Sequence, residues 1–213
     1  MSYSVKEIYL TVQGEGAQTG ITAVFLRFTG CNLWSGLERD RASAVCKFCD
    51  TDFIGTDGPG GGKFQSPADL ANEVACHWPQ TSSAQGQKWV VCTGGEPLLQ
   101  LDEALIAAFH TVGFKVAVET NGTVKAPKGL DWICVSPKAD APLVQTSGHE
   151  LKLVYPQDEN SPEDFTHLDF EVFSLQPLDD KHKAANEKVA FNYCLKNPMW
   201  RLSTQTHKYI GVP

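Results

Sequence analysis

Six short apolar runs punctuate the chain: Thr22–Phe28, Lys88–Cys92, Phe114–Glu119, Trp132–Val135, Leu151–Tyr155 and Phe170–Leu175. Several are almost continuously apolar, as strands covered on both faces are. Helically spaced stretches lie between them. Ser66 reads as an N-cap, Pro67 suits the first turn and Asp69 completes a capping-box-like start. Leu70, Val74 and Trp78 then recur at i, i+4 and i+8. Asp102 caps a second stripe of Leu105, Phe109 and Val112, with Gly113 as its stop. Ala185, Val189 and Tyr193 mark a third helix.

Alternation of this kind predicts right-handed βαβ units around a parallel sheet, hence an α/β fold. About six strands are too few for an eight-stranded closure, so the pattern predicts a partial, open βα barrel. No repeat, charge block or linker divides the chain, and residues 1–213 read as one domain. In parallel sheets, sites gather at the C-terminal ends of the strands. The glycine-rich run Gly55–Lys63 reads as a mobile loop. It is no P-loop, because Asp57 stands where the first glycine belongs and Phe64 replaces Ser/Thr. Gly14-Glu-Gly16 lacks the third glycine of a dinucleotide fingerprint.

Composition narrows the class. The apolar fraction of 42% and charged fraction of 20% are those of a soluble protein. A net charge of −7 argues against direct nucleic-acid binding. The N-terminus carries no signal-peptide pattern and no apolar run approaches membrane length, so a cytoplasmic protein without a membrane association is expected. Seven cysteines, an odd number, point to a reducing compartment rather than a disulfide framework.

Cys76, Cys92, Cys134 and Cys194 fall within strand or helix patterns and read as small buried apolar residues. Cys31, Cys46 and Cys49 differ, since they occupy Gly- and polar-rich sequence and the last two have chelate spacing. A zinc ribbon wants a second C-x-x-C or an H-x-x-H pair, which none of the six histidines supplies. A redox C-x-x-C has no use for Cys31. Three cysteines after a first strand fit an iron–sulfur cluster with one open iron. Four further polar segments close strands: Thr93-Gly94-Gly95-Glu96-Pro97, Glu119–Gly122, Ser136–Asp140 and Gln176–Asp179. Each alone reads as a turn; together, on one sheet edge, they read as a cofactor site. The two glycines expose backbone groups to a ligand without Cβ interference.

With the cysteines and Gly94-Gly95-Glu96-Pro97 in view, the chain resembles the radical S-adenosylmethionine (SAM) superfamily. The fourteen residues between Cys31 and Cys46 exceed the superfamily's usual three, making 32–45 an insert. That spacing, Val12–Gly16, Arg27, Cys49–Phe53 and the terminal Gln205–Tyr209 together resemble the 7-carboxy-7-deazaguanine synthase family, from Lys6 to Pro213. The resemblance implies a homodimer with a trimmed barrel. It implies conversion of 6-carboxy-5,6,7,8-tetrahydropterin to 7-carboxy-7-deazaguanine with loss of ammonia, dependent on a 4Fe-4S cluster, SAM and Mg²⁺, with a flavodoxin-type electron donor.

By the same resemblance, Cys31, Cys46 and Cys49 are cluster ligands and Thr51 binds Mg²⁺. Gly94, Gly95, Glu96, Ser136, Pro137, Lys138, Gln176, Pro177, Leu178 and Asp179 fall on the SAM-binding motifs. Val12, Gln13, Gly14, Arg27, Thr93 and the carboxylate of Pro213 contact substrate, with Glu15 and His207 as neighbours. Arg27 has the bidentate chemistry to grip a carboxylate, and Glu15 the acceptor-only chemistry for an amino-pyrimidine edge. Two other readings stay open on the sequence: a glycyl-radical-enzyme activase, and a non-enzymatic zinc-binding module.

Overall fold

The computed structural model describes residues 2–80 and 86–212. In chain order it contains β1 (Tyr3–Val12), β2 (Thr22–Phe28), β3 (Gly62–Phe64), α1 (Pro67–His77), β4 (Lys88–Gly94), α2 (Glu103–Thr111) and β5 (Phe114–Thr120). There follow β6 (Trp132–Val135), β7 (Ser147–Tyr155), β8 (Asp169–Pro177), α3 (Lys183–Lys196), β9 (Trp200–Leu202) and α4 (Thr206–Ile210). Among the described residues nine strands form one open sheet in the order β3-β1-β2-β4-β5-β6-β7-β8-β9. From β2 to β9 every neighbouring pair is parallel, which makes seven parallel strands rather than six. At the other edge β1 runs antiparallel to β2 and β3 antiparallel to β1. Among the described residues no helix is long and apolar enough to cross a membrane.

The sheet's two faces differ, as a period of two along each strand requires. Val24, Leu26, Phe28, Val90, Cys92, Val116 and Val118 point toward α1 and α2 and share one core with Leu70, Val74, Leu105 and Phe109. Leu151, Leu153, Phe173 and Leu175 form a second core with Ala190 of α3 and Trp200. The opposite face of the central strands is lined by Ala23, Val91 and Ala117, flanked by Phe25, Trp89 and Trp132. Both α1 and α2 begin where the sequence says. The Ser66 Oγ accepts from the Asp69 N–H at 3.1 Å, and the Asp102 carboxylate accepts from the Leu105 N–H at 2.8 Å.

Four expectations need correction. The α3 stripe is rotated by one residue: Asn186 and Ala190 are buried, while Ala185 and Val189 are exposed. Asn186 is inward because its amide donates to the Leu178 carbonyl at 2.8 Å and to Asp180 at 2.9 Å. The glycine-rich run is no free loop. Pro59 accepts from the Ile8 N–H at 2.7 Å, and Gly62–Phe64 pairs with β1 as β3. Among the four cysteines expected inside, Cys92 and Cys134 are buried, Cys194 is half-buried and Cys76 is exposed. The antiparallel strand β1 and the short β3 and β9 were not among the expected strands. In β1 the residues Tyr3, Val5 and Ile8 join the core and Glu7, Tyr9 and Thr11 border a cavity, with a register shift between Val5 and Glu7 that interrupts the period of two.

Tyr3 at the start of β1 ties this edge to α2. Its hydroxyl lies 3.0 Å from both Asp102 oxygens, so Asp102 serves as helix cap and as acceptor at once. Burial and the neighbouring carboxylate push the phenol up to about 12. Replacing Asp102 with Ala removes the cap and orphans a buried hydroxyl, and is expected to lower the unfolding free energy by about 2–4 kcal/mol. Urea denaturation checks this; a loss under about 0.5 kcal/mol contradicts the dual role.

Candidate functional site

Alternation carries one set of polar side chains to the concave face at the strands' C-terminal ends. Arg27, Thr93, Glu119, Cys134, Lys152 and Gln176 have the parity opposite to Leu26, Cys92, Val118, Val135, Leu153 and Leu175, which face the helices. A cavity opens over this face in two joined lobes. The first is lined by Cys46, Cys49, Gly94, Gly95, Ser136, Lys138 and the run Gln176–Asp179. The second is lined by Val12, Gln13, Arg27, His207 and Lys208. Glu15, Thr51, Thr93, Glu119 and Gln205 border both lobes.

The segment bearing the cysteines is held on several sides. Residues 32–45 are largely irregular, with one 3₁₀ stretch at Glu38–Ser43. Their ends meet where the Leu33 carbonyl accepts from the Val45 and Cys46 N–H groups. Trp34 packs edge-on against Phe53, and the Arg41 guanidinium lies 4.0 Å from its ring centroid. Arg41 also donates to the Lys47 carbonyl at 2.9 Å and the Cys49 carbonyl at 3.0 Å, clamping the loop between the last two cysteines. The Cys31 Sγ accepts from the Leu33 N–H at 3.4 Å.

Gly94 and Gly95 border the first lobe and have a second reason within the chain itself. A Cβ on Gly94 would lie 2.2 Å from the Phe28 carbonyl oxygen, and one on Gly95 would lie 2.1 Å from that of Gly30. Glycine is needed so that the chain leading into Cys31 can lie directly on the end of β4. Glu96 differs from expectation: it is fully buried and does not border the cavity. Its carboxylate accepts from the Leu98 N–H at 2.9 Å, the Thr120 hydroxyl at 2.8 Å and the Asn121 N–H at 2.8 Å. It therefore locks the end of β4 to the end of β5. Asn121 continues the chain of contacts, donating to Asn32 beside Cys31 at 3.1 Å. Burial raises the Glu96 carboxyl, and the three donors oppose that rise.

Lys138 donates to the Ser136 carbonyl at 2.8 Å and its hydroxyl at 2.6 Å. Burial depresses its ammonium, while the nearby Cys46 and Cys49 thiols oppose the shift. Burial in turn raises the Cys46 thiol, against the pull of Lys138. Pro137 is buried and does not border the cavity. Among the described residues no group of three or more His, Cys, Asp or Glu side chains converges to hold a single metal ion.

A buried ammonium lies between two carboxylates at this site. Lys152 is 4% exposed and donates to Glu15 at 2.8 Å and Glu119 at 2.9 Å. Gln205 donates to the other Glu15 oxygen at 2.9 Å, and Gln13 to the other Glu119 oxygen at 3.1 Å. Burial favours the neutral form of Glu15, but Lys152 and Gln205 outweigh it and bring the carboxyl down to about 2. Glu119 goes the other way: burial and Glu15 raise it, only partly offset by Lys152. Lys152 was not a sequence candidate. It interrupts an apolar run, Leu151–Tyr155, and the parity of that run is the only signal that would turn it toward the interior.

The C-terminal segment folds inward. Thr206 donates its N–H to the Gly14 carbonyl at 2.9 Å, and His207 packs so closely on Gly14 that a Cβ there would meet its ring at 2.3 Å. Lys208 joins Asp50, beside Cys49, at 2.6 Å to Asp179 at 2.5 Å. Arg27 is paired, its Nε donating to Glu7 at 2.7 Å and an η nitrogen to the Tyr9 hydroxyl at 2.9 Å. Those bonds leave three of its five N–H donors. Pro213 lies outside the described residues.

No family model matches the chain. Named relatives do. It is 64% identical over 213 residues to 7-carboxy-7-deazaguanine synthase of Caulobacter vibrioides and 61% identical over 213 residues to that of Bordetella pertussis, each covering 100% of both chains. The synthase of Bacteroides thetaiotaomicron is 36% identical over 212 residues, again covering 100% of both. Among solved structures, QueE from Escherichia coli superposes with a TM-score of 0.68 at 25% identity, covering 97% of this chain and 95% of that one.

Two outcomes follow from the geometry. Gly95→Ala must push back the Gly30 backbone, so its melting temperature is expected to fall and Cys31 to react faster with a maleimide; wild-type values for both contradict the packing account. The depressed Glu15 carboxyl adds stability that is present above the ordinary carboxylate range and lost as pH falls toward 2. The stability gap between wild type and Glu15→Gln is therefore expected to shrink between about pH 5 and about pH 2, and a constant gap counts against it.

Proposed function

The chain belongs to the 7-carboxy-7-deazaguanine synthase family, and on that footing we propose that it is a radical SAM lyase of the queuosine pathway. Its substrate is 6-carboxy-5,6,7,8-tetrahydropterin, and its product, with loss of ammonia, is 7-carboxy-7-deazaguanine. One observation carries this reading. The cysteine loop, the polar ends of β4, β6 and β8, and the Glu15–Lys152–Glu119 group border a single two-lobed cavity.

In this reading Cys31, Cys46 and Cys49 would hold a 4Fe-4S cluster. Each ligand of such a cluster binds its own iron, and the three thiols are near enough to act on one another, Cys31 feeling Cys49 and Cys46 feeling both. When bound, the reduced cluster supplies the electron that splits SAM and starts the radical chemistry. Gly94, Gly95, Ser136, Lys138 and Gln176–Asp179 would seat SAM in the first lobe. Glu96 and Pro137 act behind that lobe, where Glu96 fixes the strand ends. Thr51, between the lobes, would bind Mg²⁺ together with water and substrate oxygens.

The second lobe takes the substrate. Arg27, anchored by Glu7 and Tyr9, turns its remaining N–H donors toward the substrate carboxylate. Val12, Gln13, Gly14, Glu15, Thr93 and His207 surround the ring system, and the inward-folded tail excludes water. A homodimer, a flavodoxin-type electron donor and a cytoplasmic location complete the proposal.

Anaerobically reconstituted protein given SAM, a reductant and the carboxy-tetrahydropterin is expected to yield 7-carboxy-7-deazaguanine by mass spectrometry. Cys46→Ala is expected to abolish both bound iron and product. Absence of product from iron-loaded wild type overturns the assignment.

A further inference from the structure

The layer of the barrel interior below the site is apolar, with Ala23, Val91 and Ala117 on three adjacent strands. One layer up, Lys152 is buried between Glu15 and Glu119, which come from the β1–β2 connection and the end of β5. A buried ion pair of this kind contributes little to stability compared with apolar packing, so its presence calls for another reason. Each of the four carboxylate oxygens already accepts one hydrogen bond from Lys152, Gln205 or Gln13. A carboxylate offers about four acceptor positions, so both groups retain capacity toward the cavity they border.

We propose that Lys152 is a positioning residue for substrate recognition: its ammonium fixes Glu15 and Glu119 as one acceptor edge that selects ligands presenting two adjacent N–H donors. The inference rests on the pterin reading above and deepens it. The donor pair of a 2-aminopyrimidin-4-one ring, its amino group and adjacent ring N–H, has the required chemistry. Two carboxylates this close repel each other, and the cation between them keeps both turned to one place. Cys134 and Glu150 also act on Lys152, and Lys138 and His207 feel its charge. Among these neighbours Glu150 is engaged elsewhere, by the Ser174 hydroxyl at 2.6 Å and the Ala17 N–H at 3.0 Å.

The test measures discrimination, which a purely structural role leaves unmoved. Titration calorimetry of the reconstituted holoenzyme compares 7-carboxy-7-deazaguanine with its analogue lacking the 2-amino group. Wild type is expected to prefer the amino-bearing ligand by roughly 10- to 100-fold, the worth of one hydrogen bond to a charged acceptor. Lys152→Met is expected to cut that preference to about threefold or less. Because this change leaves two buried carboxylates without their cation, Glu119→Gln is measured beside it. That variant keeps the Lys152–Glu15 pair, and it too is expected to lose the preference. A folded variant of either kind that discriminates as wild type does overturns the proposal. Wild type binding both ligands equally rejects the acceptor edge alone, whereas wild type binding neither rejects the pterin reading itself.

Discussion

The ammonium of Lys152 sets the terms on which the interior of this sheet can be polar. Two carboxylates from distant parts of the chain cannot both stay charged together inside a protein without a cation, because desolvation and mutual repulsion both act against their charged forms. Lys152 resolves this with two charge-assisted hydrogen bonds, at 2.8 and 2.9 Å. The consequences reach outward. Glu15 holds Gln205, which precedes α4, and Glu119 holds Gln13 in the β1–β2 connection. The floor of the cavity, its entry loop and its C-terminal cover thus share one electrostatic anchor. The two carboxyl groups respond in opposite directions, since Glu15 gains a second strong donor while Glu119 remains dominated by burial.

The cysteine segment depends on close packing instead. The chain before Cys31 lies against the end of β4 at a distance that leaves no room for a Cβ on Gly94 or Gly95. Glu96 then welds that end to β5, and Asn121 passes the connection on to Asn32. The long stretch between Cys31 and Cys46 supplies Arg41, which holds the Lys47 and Cys49 carbonyls from outside. A glycine motif, a buried acid and an irregular insert therefore act together as one scaffold. Each would be uninformative alone. The glycine pair admits the protein's own backbone on one side and borders the cavity on the other.

Local signals explain which elements were legible. Ser66 and Asp102 cap the helices predicted from them, and Thr22–Phe28 and Trp132–Val135 are strands with the expected bounds. These segments carry strong apolar patterns or side-chain caps that act within a few residues. The buried stripe of α3 lies one position from the periodic one because Asn186 is inward for the sake of a carbonyl on the β8–α3 connection, a partner invisible to periodicity. Strands β1, β3 and β9 are not announced by their sequences: adjacent polar residues Lys6 and Glu7, where the register with β2 shifts, break the period of two in β1, and Gly62–Phe64 is extended beside Tyr3–Val5.

The sequence by itself determined the fold class, the order of the main elements, the special standing of Cys31, Cys46 and Cys49, and the strand ends where polar residues collect. These are properties of neighbours in the chain, or of spacing along it. Only the tertiary structure decided which polar residues meet. Glu15, Glu119 and Lys152 are separated by as many as 137 positions, and Lys208 reaches Asp50 across 158. Nothing local to any of them announces the partnership. The parity of each strand chooses a face, the sheet register chooses a depth, and the low dielectric of the interior then makes those particular contacts matter.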